Sequence, residues 1–273
     1  MKIVFTLLLG IGLNLLHSEA QTVPEDWDNY IISVNNHPVS IVVNLALKEK
    51  APLKERPFVI ILRTKYSVSD SSGFPSPEII GTMDSIEFAL EAKLKTSLGA
   101  VYAGRFTQRG LREFYFYALD TTQYLTACAA VMDKYRGFPW LSKALTDKTW
   151  SNYFEVLYPS PNELEKIENR RMIETLQDKG DPLMTARKID HLLYFKSVAG
   201  RQSFLEAVDM PGLTIDEMPA EKTELGDYGF RLKISRSDIP DNLTMNKITI
   251  YLRELSIKYN GIYSGWQTYV LKN

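Results

Sequence analysis

Histidine and cysteine are rare enough in this chain to be considered one by one as catalytic groups. After the first twenty residues the chain holds His37, which precedes a proline in a turn, and His191. A hydrolytic triad would join His191 to an activated serine and a carboxylate, but no Gly-x-Ser-x-Gly motif supplies that serine. As a metal ligand His191 would need two or three further ligands, and the adjacent Asp190 points to the opposite face of a strand. We therefore expect His191 to be a hydrogen-bonded structural residue.

Cys128, the single cysteine, lies on the apolar face of a predicted helix. Free cysteine is among the most buried residue types, and no Lys, Arg or His stands within four residues to lower the pKa of its thiol. We expect Cys128 to pack in a core. The sequence thus predicts no catalytic residue, no cofactor and no metal site.

The segment Arg105–Tyr117 is a predicted hairpin rich in arginine and aromatic residues. Strand alternation places its phenylalanines on one face of a sheet and Tyr115 and Tyr117 on the other. A tyrosine-rich face beside Arg105 and Arg112 is typical of a surface that binds an anionic or aromatic partner. The alternative is a sheet face that an N-terminal hairpin or the other half of the chain covers.

A second aromatic group lies in the last predicted strand, Tyr263–Leu271. We expect Trp266 and Tyr269, three positions apart, to lie on opposite faces, one in the core and the other exposed on the sheet. Core packing alone is the alternative to a binding role. The residues predicted as possible protein-binding residues are Trp266, Tyr269, Tyr263, Arg105, Arg112, Tyr115 and Tyr117.

The elements that position these residues fall into two similar series. In the first, a hairpin joins Tyr30–Val34 to Val39–Leu47, and from Phe58 onward the pattern predicts strand, helix, two strands, helix and strand. We place the last of these strands at Trp150–Tyr158, after a loop around Trp140–Lys148.

The second series begins after the boundary Tyr158–Pro161, where Ser160 opens a capping box with Glu163 and a polar helix follows. The order strand, helix, two strands, helix and strand then repeats. We therefore predict an α+β protein of two tandem ferredoxin-like (β-α-β-β-α-β) domains, residues 21–159 and 160–273. A β-hairpin precedes the first domain, and a linker helix joins the two.

Residues 1–20 have the pattern of a signal peptide. Lys2 and the apolar run Ile3–Leu16 precede small residues at Ser18 and Ala20. We expect cleavage after Ala20 and a periplasmic or secreted protein, with an uncleaved hydrophobic N-terminus as the alternative. No later stretch is long and apolar enough to span a membrane. The formal net charge of −1 argues against nucleic acid as a partner.

The second half resembles the regulator of ribonuclease E activity B family. The matching features are the charged helix with Gly-Asp-Pro at its end in Asn162–Pro182, the pair Asp190-His191 and the run Tyr263–Tyr269. The resemblance implies a ferredoxin-like fold and a non-enzymatic, protein-binding role. This half is nearly neutral where the family's best-known members are strongly acidic, so inhibition of ribonuclease E is not carried over.

The first half is similar to the bacterial domain family of unknown function numbered 695. The matching features are Trp27 and Tyr30, the Gly73-Phe74-Pro75 loop with Glu78, and Gly104-Arg105 through Arg112-Glu113 to Tyr117. This resemblance implies no activity.

Together these patterns predict an exported, non-catalytic protein that binds another protein or regulates it. One alternative is a hydrolase of unrecognised type, with a site in the inter-domain cleft where Arg105, Arg112 and Glu113 meet a facing carboxylate. The other is a cytosolic regulator of the ribonuclease E type, which requires that residues 1–20 do not direct export.

Overall fold

A computed structural model of the chain describes residues 25–68, 70–219 and 226–272. The predicted signal peptide, residues 1–20, lies outside these residues. The described residues form two antiparallel sheets with helices, an α+β architecture with one sheet in each half. In these ranges no helix is long and apolar enough to cross a membrane.

The first half contains a six-stranded sheet with the strand order β1-β2-β4-β5-β3-β6. Its strands are β1 (Trp27–Val34), β2 (His37–Asn44), β3 (Phe58–Lys65), β4 (Val101–Gln108), β5 (Leu111–Ala118) and β6 (Trp140–Thr146). Its α-helices are α1 (Pro77–Leu98) and α2 (Tyr124–Met132). The β1–β2 turn places Asn35 and Asn36 at φ of 50° and 61°, and asparagine tolerates the left-handed conformation that a tight hairpin requires.

Both faces of the central strand β5 are covered. On one face Phe114 and Phe116 pack with apolar residues of α1 and α2. On the other, Tyr115 and Tyr117 pack with residues of the β1–β2 hairpin and with Trp150. The predicted alternation of the aromatic residues in β5 is confirmed, but neither of its faces is free.

The prediction of a strand at Trp150–Tyr158 is wrong, because Asn152–Leu157 is a π-helix. The sixth strand is instead Trp140–Thr146, which lies within the predicted loop. Trp150, Tyr153 and Leu157 are fully buried at helical spacings of three and four residues.

The carboxylate of Asp147 anchors the start of this π-helix. It accepts hydrogen bonds from the backbone N–H groups of Ser151 at 2.7 Å and Asn152 at 3.0 Å. The Tyr117 hydroxyl also donates to it, at 2.7 Å. These bonds satisfy backbone donors that a helix start leaves without intrahelical partners.

The second half contains a four-stranded sheet with the order β10-β7-β9-β8. Its strands are β7 (Arg187–Phe195), β8 (Thr214–Glu217), β9 (Phe230–Asp238) and β10 (Gly261–Gln267). Its helices are α3 (Pro161–Asp178), α4 (Val198–Ala207) and α5 (Asn242–Lys258). One face of the sheet packs on α4 and α5 through Leu193, Leu232, Phe204 and Leu252.

Helix α3 begins as predicted, because the Ser160 hydroxyl accepts a hydrogen bond from the Glu163 N–H at 3.3 Å. Ile167 belongs to the core of the first half, whereas Ile173 and Leu176 belong to a core of the second. The helix therefore contributes to the cores of both halves.

Two arginines of α3 also fasten it to the first half. Arg170 and Arg171 both pair with Asp28, which is almost fully buried, and Arg171 donates to Asp28 at 2.6 Å. Arg171 pairs in addition with Asp26 at 2.8 Å.

The Gly-Asp-Pro step after α3 holds a buried ion pair. Gly180 has a φ of +87°, which glycine adopts without steric strain. The next residue, Asp181, receives two hydrogen bonds from Arg187, and both side chains are almost fully buried. Asp181 also accepts the N–H groups of Leu183 at 2.9 Å and Leu271 at 2.8 Å, so it fixes both the start of this sheet and the segment after β10.

Candidate functional site

Three of the four predicted binding residues in the Arg105–Tyr117 hairpin are buried. Arg112, Tyr115 and Tyr117 are 4%, 4% and 0% exposed. Tyr115 donates a hydrogen bond to Glu113 at 2.6 Å. Direct contact of these side chains with a partner would require them to be uncovered, and a binding role for them stays a prediction.

Arg105 and Arg112 belong to an ion-pair cluster under α1. Arg105 pairs with Glu87, and Arg112 lies 3.6 Å from Asp84 and 4.0 Å from Glu87. Glu113 follows Arg112 on the strand and points to the other face. The structure therefore does not bring the two arginines and Glu113 into one pocket.

Of the two aromatic residues near the C-terminus, one is buried and one is exposed, as expected, but they do not lie on opposite faces of one strand. Trp266 is buried at 8% exposure, and Tyr269, at 55%, is the most exposed of the seven predicted binding residues. Strand β10 ends at Gln267, so Tyr269 lies beyond it and not on its opposite face.

A β-bulge accounts for the positions of Tyr263 and Trp266. Tyr263 pairs with Leu193 and Trp266 with His191, so Ser264 and Gly265 together stand opposite a single residue of β7. Gly265 has a φ of +110°, a conformation that favours glycine. Because of the extra residue, Tyr263 and Trp266 both point toward the helices although they are three positions apart.

His191 lies on β7 between these two aromatic residues and is fully buried. Its Nδ1 forms a hydrogen bond with the Tyr263 hydroxyl at 2.9 Å, as the prediction of a hydrogen-bonded histidine requires. Burial lowers the pKa of His191 to about 4, so the ring is neutral at pH 7. Among the described residues, no hydrogen-bond partner reaches its other ring nitrogen, Nε2.

Helix α3 supplies carboxylates to the same region. Burial raises the pKa of Glu165 above the ordinary value, and partial desolvation by the surrounding protein does the same for Glu168, although that residue reaches the surface. Burial also raises the pKa of Tyr263 well above its ordinary value, and the two carboxylates add to that shift. The tyrosine therefore stays protonated.

Asn169 ties α3 to the sheet and to α5. It accepts a hydrogen bond from the Trp266 indole N–H at 2.8 Å and donates to the Thr249 hydroxyl at 2.8 Å. These bonds hold Trp266 in one orientation. They also fix Asn169 and Trp266 where both line a cavity.

This cavity, of about 300 Å³, lies between α3, β7, β9 and the β10 bulge. Its lining includes His191, Trp266, Glu165 and Glu168. We take it as the candidate functional site. Among the described residues, no group of three or more His, Cys, Asp or Glu side chains has an arrangement that could hold a metal ion.

Sequence reasoning found His191 and Trp266 but missed Glu165, Glu168 and Asn169. The available signal was their spacing of three and four residues along α3, which puts these polar side chains on one helix face beside Met172. A polar helix face is usually solvated, so the pattern alone does not distinguish a cavity wall from a surface.

The fold and the site define an α+β protein with one antiparallel sheet in each half, and in the second sheet the fully buried His191 is hydrogen-bonded to the half-buried Tyr263. Residues 25–158 match the model of a family of unknown function (DUF695), and residues 166–268 match the model of Regulator of ribonuclease activity B (RraB). Both resemblances seen in the sequence are confirmed.

Other comparisons add little. No curated protein matches the chain. A crystal structure of an unknown protein from Galdieria sulphuraria covers 78% of this chain and 98% of its own length at 12% identity. Its TM-score of 0.20 is too low to support a structural argument.

Proposed function

We propose that the protein is an exported, non-catalytic regulator that acts by binding another protein through its second domain. The match of that domain to a family of regulators supports a regulatory role. We also propose that both domains are ferredoxin-like. If the four strands of the second sheet are numbered 1 to 4 along the chain, they lie side by side in the order 4-1-3-2. Strands β3 to β6 of the first sheet have the same order when they are counted from the β6 edge.

The observation that carries the binding proposal is the sheet face opposite α4 and α5. Leu192 and Tyr194 of β7 are half-buried on this face. They stand beside paired charges, with Lys233 bonded to Asp190 at 2.9 Å. Tyrosine and leucine among neutralised charges form a surface that a protein partner can cover without burying an unpaired charge.

A comparison of matched variants tests this surface. The partner is recovered from the exported fraction by cross-linking, purified, and titrated with wild-type protein, Leu192→Ala and Leu243→Ala. Leu243 is 83% exposed on α5 and provides a leucine away from the sheet face. We expect Leu192→Ala to weaken binding at least about tenfold, as an interface anchor does, and Leu243→Ala to leave it unchanged. Equal affinities of all three proteins would refute this surface.

Export is tested separately by N-terminal sequencing of the native protein. A mature chain that begins at Gln21 supports the proposal. A chain that retains residues 1–20 in the cytosol favours the second candidate, a cytosolic regulator, which the matched family's description as a regulator of ribonuclease activity also supports.

The non-catalytic part of the proposal has its own test. Purified mature protein is assayed with generic ester, phosphate and peptide substrates, beside the His191→Gln variant. Turnover that His191→Gln abolishes would establish the hydrolase alternative and refute a purely regulatory role.

A further inference from the structure

The cavity behind the β10 bulge has the size of a small-molecule site and reaches the surface. Its volume of about 300 Å³ is at the lower end of the range for ligand pockets. Exposed Glu168 and Gln267 contribute to its lining, as does Met172 at 37% exposure. A ligand can therefore enter without unfolding of the domain.

His191 lines this cavity, and one of its ring nitrogens has no partner in the described part of the chain. The Tyr263 hydroxyl and Nδ1 of His191 share a hydrogen bond in which either group can donate. Nε2 takes the role that Nδ1 does not have, donor or acceptor. The side chain is fully buried. A buried polar atom of this kind is costly unless it forms a hydrogen bond.

The carboxylates of the cavity exceed its cations. In the described ranges, neither Glu165 nor Glu168 has a basic side chain within 4.0 Å, whereas Lys233 is already paired with Asp190 at 2.9 Å. Thr249 donates a hydrogen bond to Glu165, and Arg253 attracts it from farther away.

Two more distant cations, Arg171 and Lys48, attract Glu168. Arg171 is already paired with Asp26 and Asp28. The cavity therefore favours a cation over an anion. Its apolar wall, made by Trp266, Met172 and Leu192, suits a carbon skeleton.

We propose that this cavity binds a small hydroxylated amine of monosaccharide size, of the amino-sugar class. The ammonium group lies toward Glu165 and Glu168, and a ligand hydroxyl, which can both donate and accept, forms a hydrogen bond with Nε2 of His191. A carboxylate-bearing ligand is disfavoured by the two glutamates. A hydrocarbon would leave Nε2 of His191 without a partner. The cavity shares Leu192, Asp190 and Lys233 with the proposed protein-binding surface, but its test needs no partner protein, so the two proposals can fail separately.

Titration with three sugars of matched size tests the chemical class. Glucosamine, glucose and glucuronate are added to the 15N-labelled full-length protein, and the NMR signals of the Trp266 indole N–H and the His191 ring are followed. We expect glucosamine to shift both signals saturably, glucose to bind more weakly and glucuronate not to bind. Absence of a saturable shift with glucosamine, or tighter binding of glucuronate, would overturn the proposal.

Variants at the cavity mouth then place the ligand. Glu168→Gln should weaken glucosamine binding at least about tenfold, the loss expected for a charge-assisted hydrogen bond, and change glucose binding less than about twofold. Met172→Trp should block binding of both sugars by filling the cavity. The controls are Glu174→Gln, at 59% side-chain exposure on α3, and Met184→Trp, at 80% exposure. Unchanged glucosamine affinity in either cavity variant would overturn the assignment.

Discussion

Removal of the Asp181 carboxylate should destabilise the second domain more than most single changes. In the structure Asp181 and Arg187 are 0% and 1% exposed, and Arg187 donates through Nη2 to Oδ1 at 2.8 Å and through Nη1 to Oδ2. The same carboxylate accepts two backbone N–H groups, those of Leu183 and Leu271. Asp181→Ala leaves the guanidinium of Arg187 buried without its counter-charge.

The expected loss is about 3–5 kcal/mol of unfolding free energy, the usual cost of breaking a buried ion pair from one side. The double variant Asp181→Leu/Arg187→Met removes the charge as well as its partner. It should therefore recover most of that loss. Glu174→Ala, which removes an exposed α3 carboxylate 3.7 Å from Arg170, should cost less than about 1 kcal/mol.

Urea unfolding followed by the NMR signal of the Trp266 indole measures this loss, because Trp266 is the single tryptophan after residue 159. Separate recording of this signal avoids the assumption that both domains unfold together. A loss below about 1 kcal/mol for Asp181→Ala, or a double variant less stable than the single one, would refute the reasoning.

The pH dependence of stability follows from the same geometry. The hydrogen bonds from Arg187 hold the pKa of Asp181 well below its ordinary value in the folded protein. The unfolded chain therefore binds this proton first, at a pKa of about 3.9. The contribution of the pair is complete above that pH and is lost as the pH falls through the folded pKa. Asp181→Leu/Arg187→Met should lack this part of the acid sensitivity.

Three further predictions concern single residues. Burial raises the pKa of the Cys128 thiol to about 11, so iodoacetamide at pH 8 should modify it at least about 100-fold more slowly in native protein than in urea, by mass spectrometry. His191, with a pKa lowered to about 4, should titrate there by NMR, and the unfolding free energy should fall by up to about 1.4 kcal/mol per pH unit as the pH drops from about 6.5 to about 4. Arg171→Ala should weaken the contact of α3 with β1 by about 1 kcal/mol, seen as faster hydrogen exchange in β1, whereas Lys166→Ala should not.

Each of these has a contrary result. Rapid modification of native Cys128 would show that its helix face is accessible. An ordinary titration of His191, or an acid sensitivity that persists in His191→Gln, would mean that burial does not lower the pKa of the ring. Equal exchange in the Arg171 and Lys166 variants would show that the ion pairs to Asp26 and Asp28 do not hold α3 in place.

The sequence predicts local structure well where a single type of interaction determines it. The alternation of β5 was correct because both of its faces are packed, and Ser160 caps α3 because its hydroxyl meets a backbone donor three residues away. Trp150–Tyr158 was misassigned because aromatic and β-branched residues also favour strands, while the helical spacing of its buried residues had less weight.

The candidate site could be predicted only in part, because it is assembled over long separations. His191 was singled out by its rarity, but its partner Tyr263 is 72 residues away. The bulge at Gly265 reverses the alternation that strand geometry implies, so Tyr263 and Trp266 share a face although they are three positions apart. Nothing in a polar helix indicates that Glu165 faces a cavity.

Helix α3 has a consequence for how the two domains can be separated or exchanged. Its first turns complete the core of the first domain through Ile167, and its later turns complete the second through Ile173 and Leu176. A cut on either side of α3 exposes apolar surface on one domain, so neither half is a free-standing module at the boundary that the sequence families suggest. A fusion protein that carried either domain without the other would therefore have to include α3 with that domain.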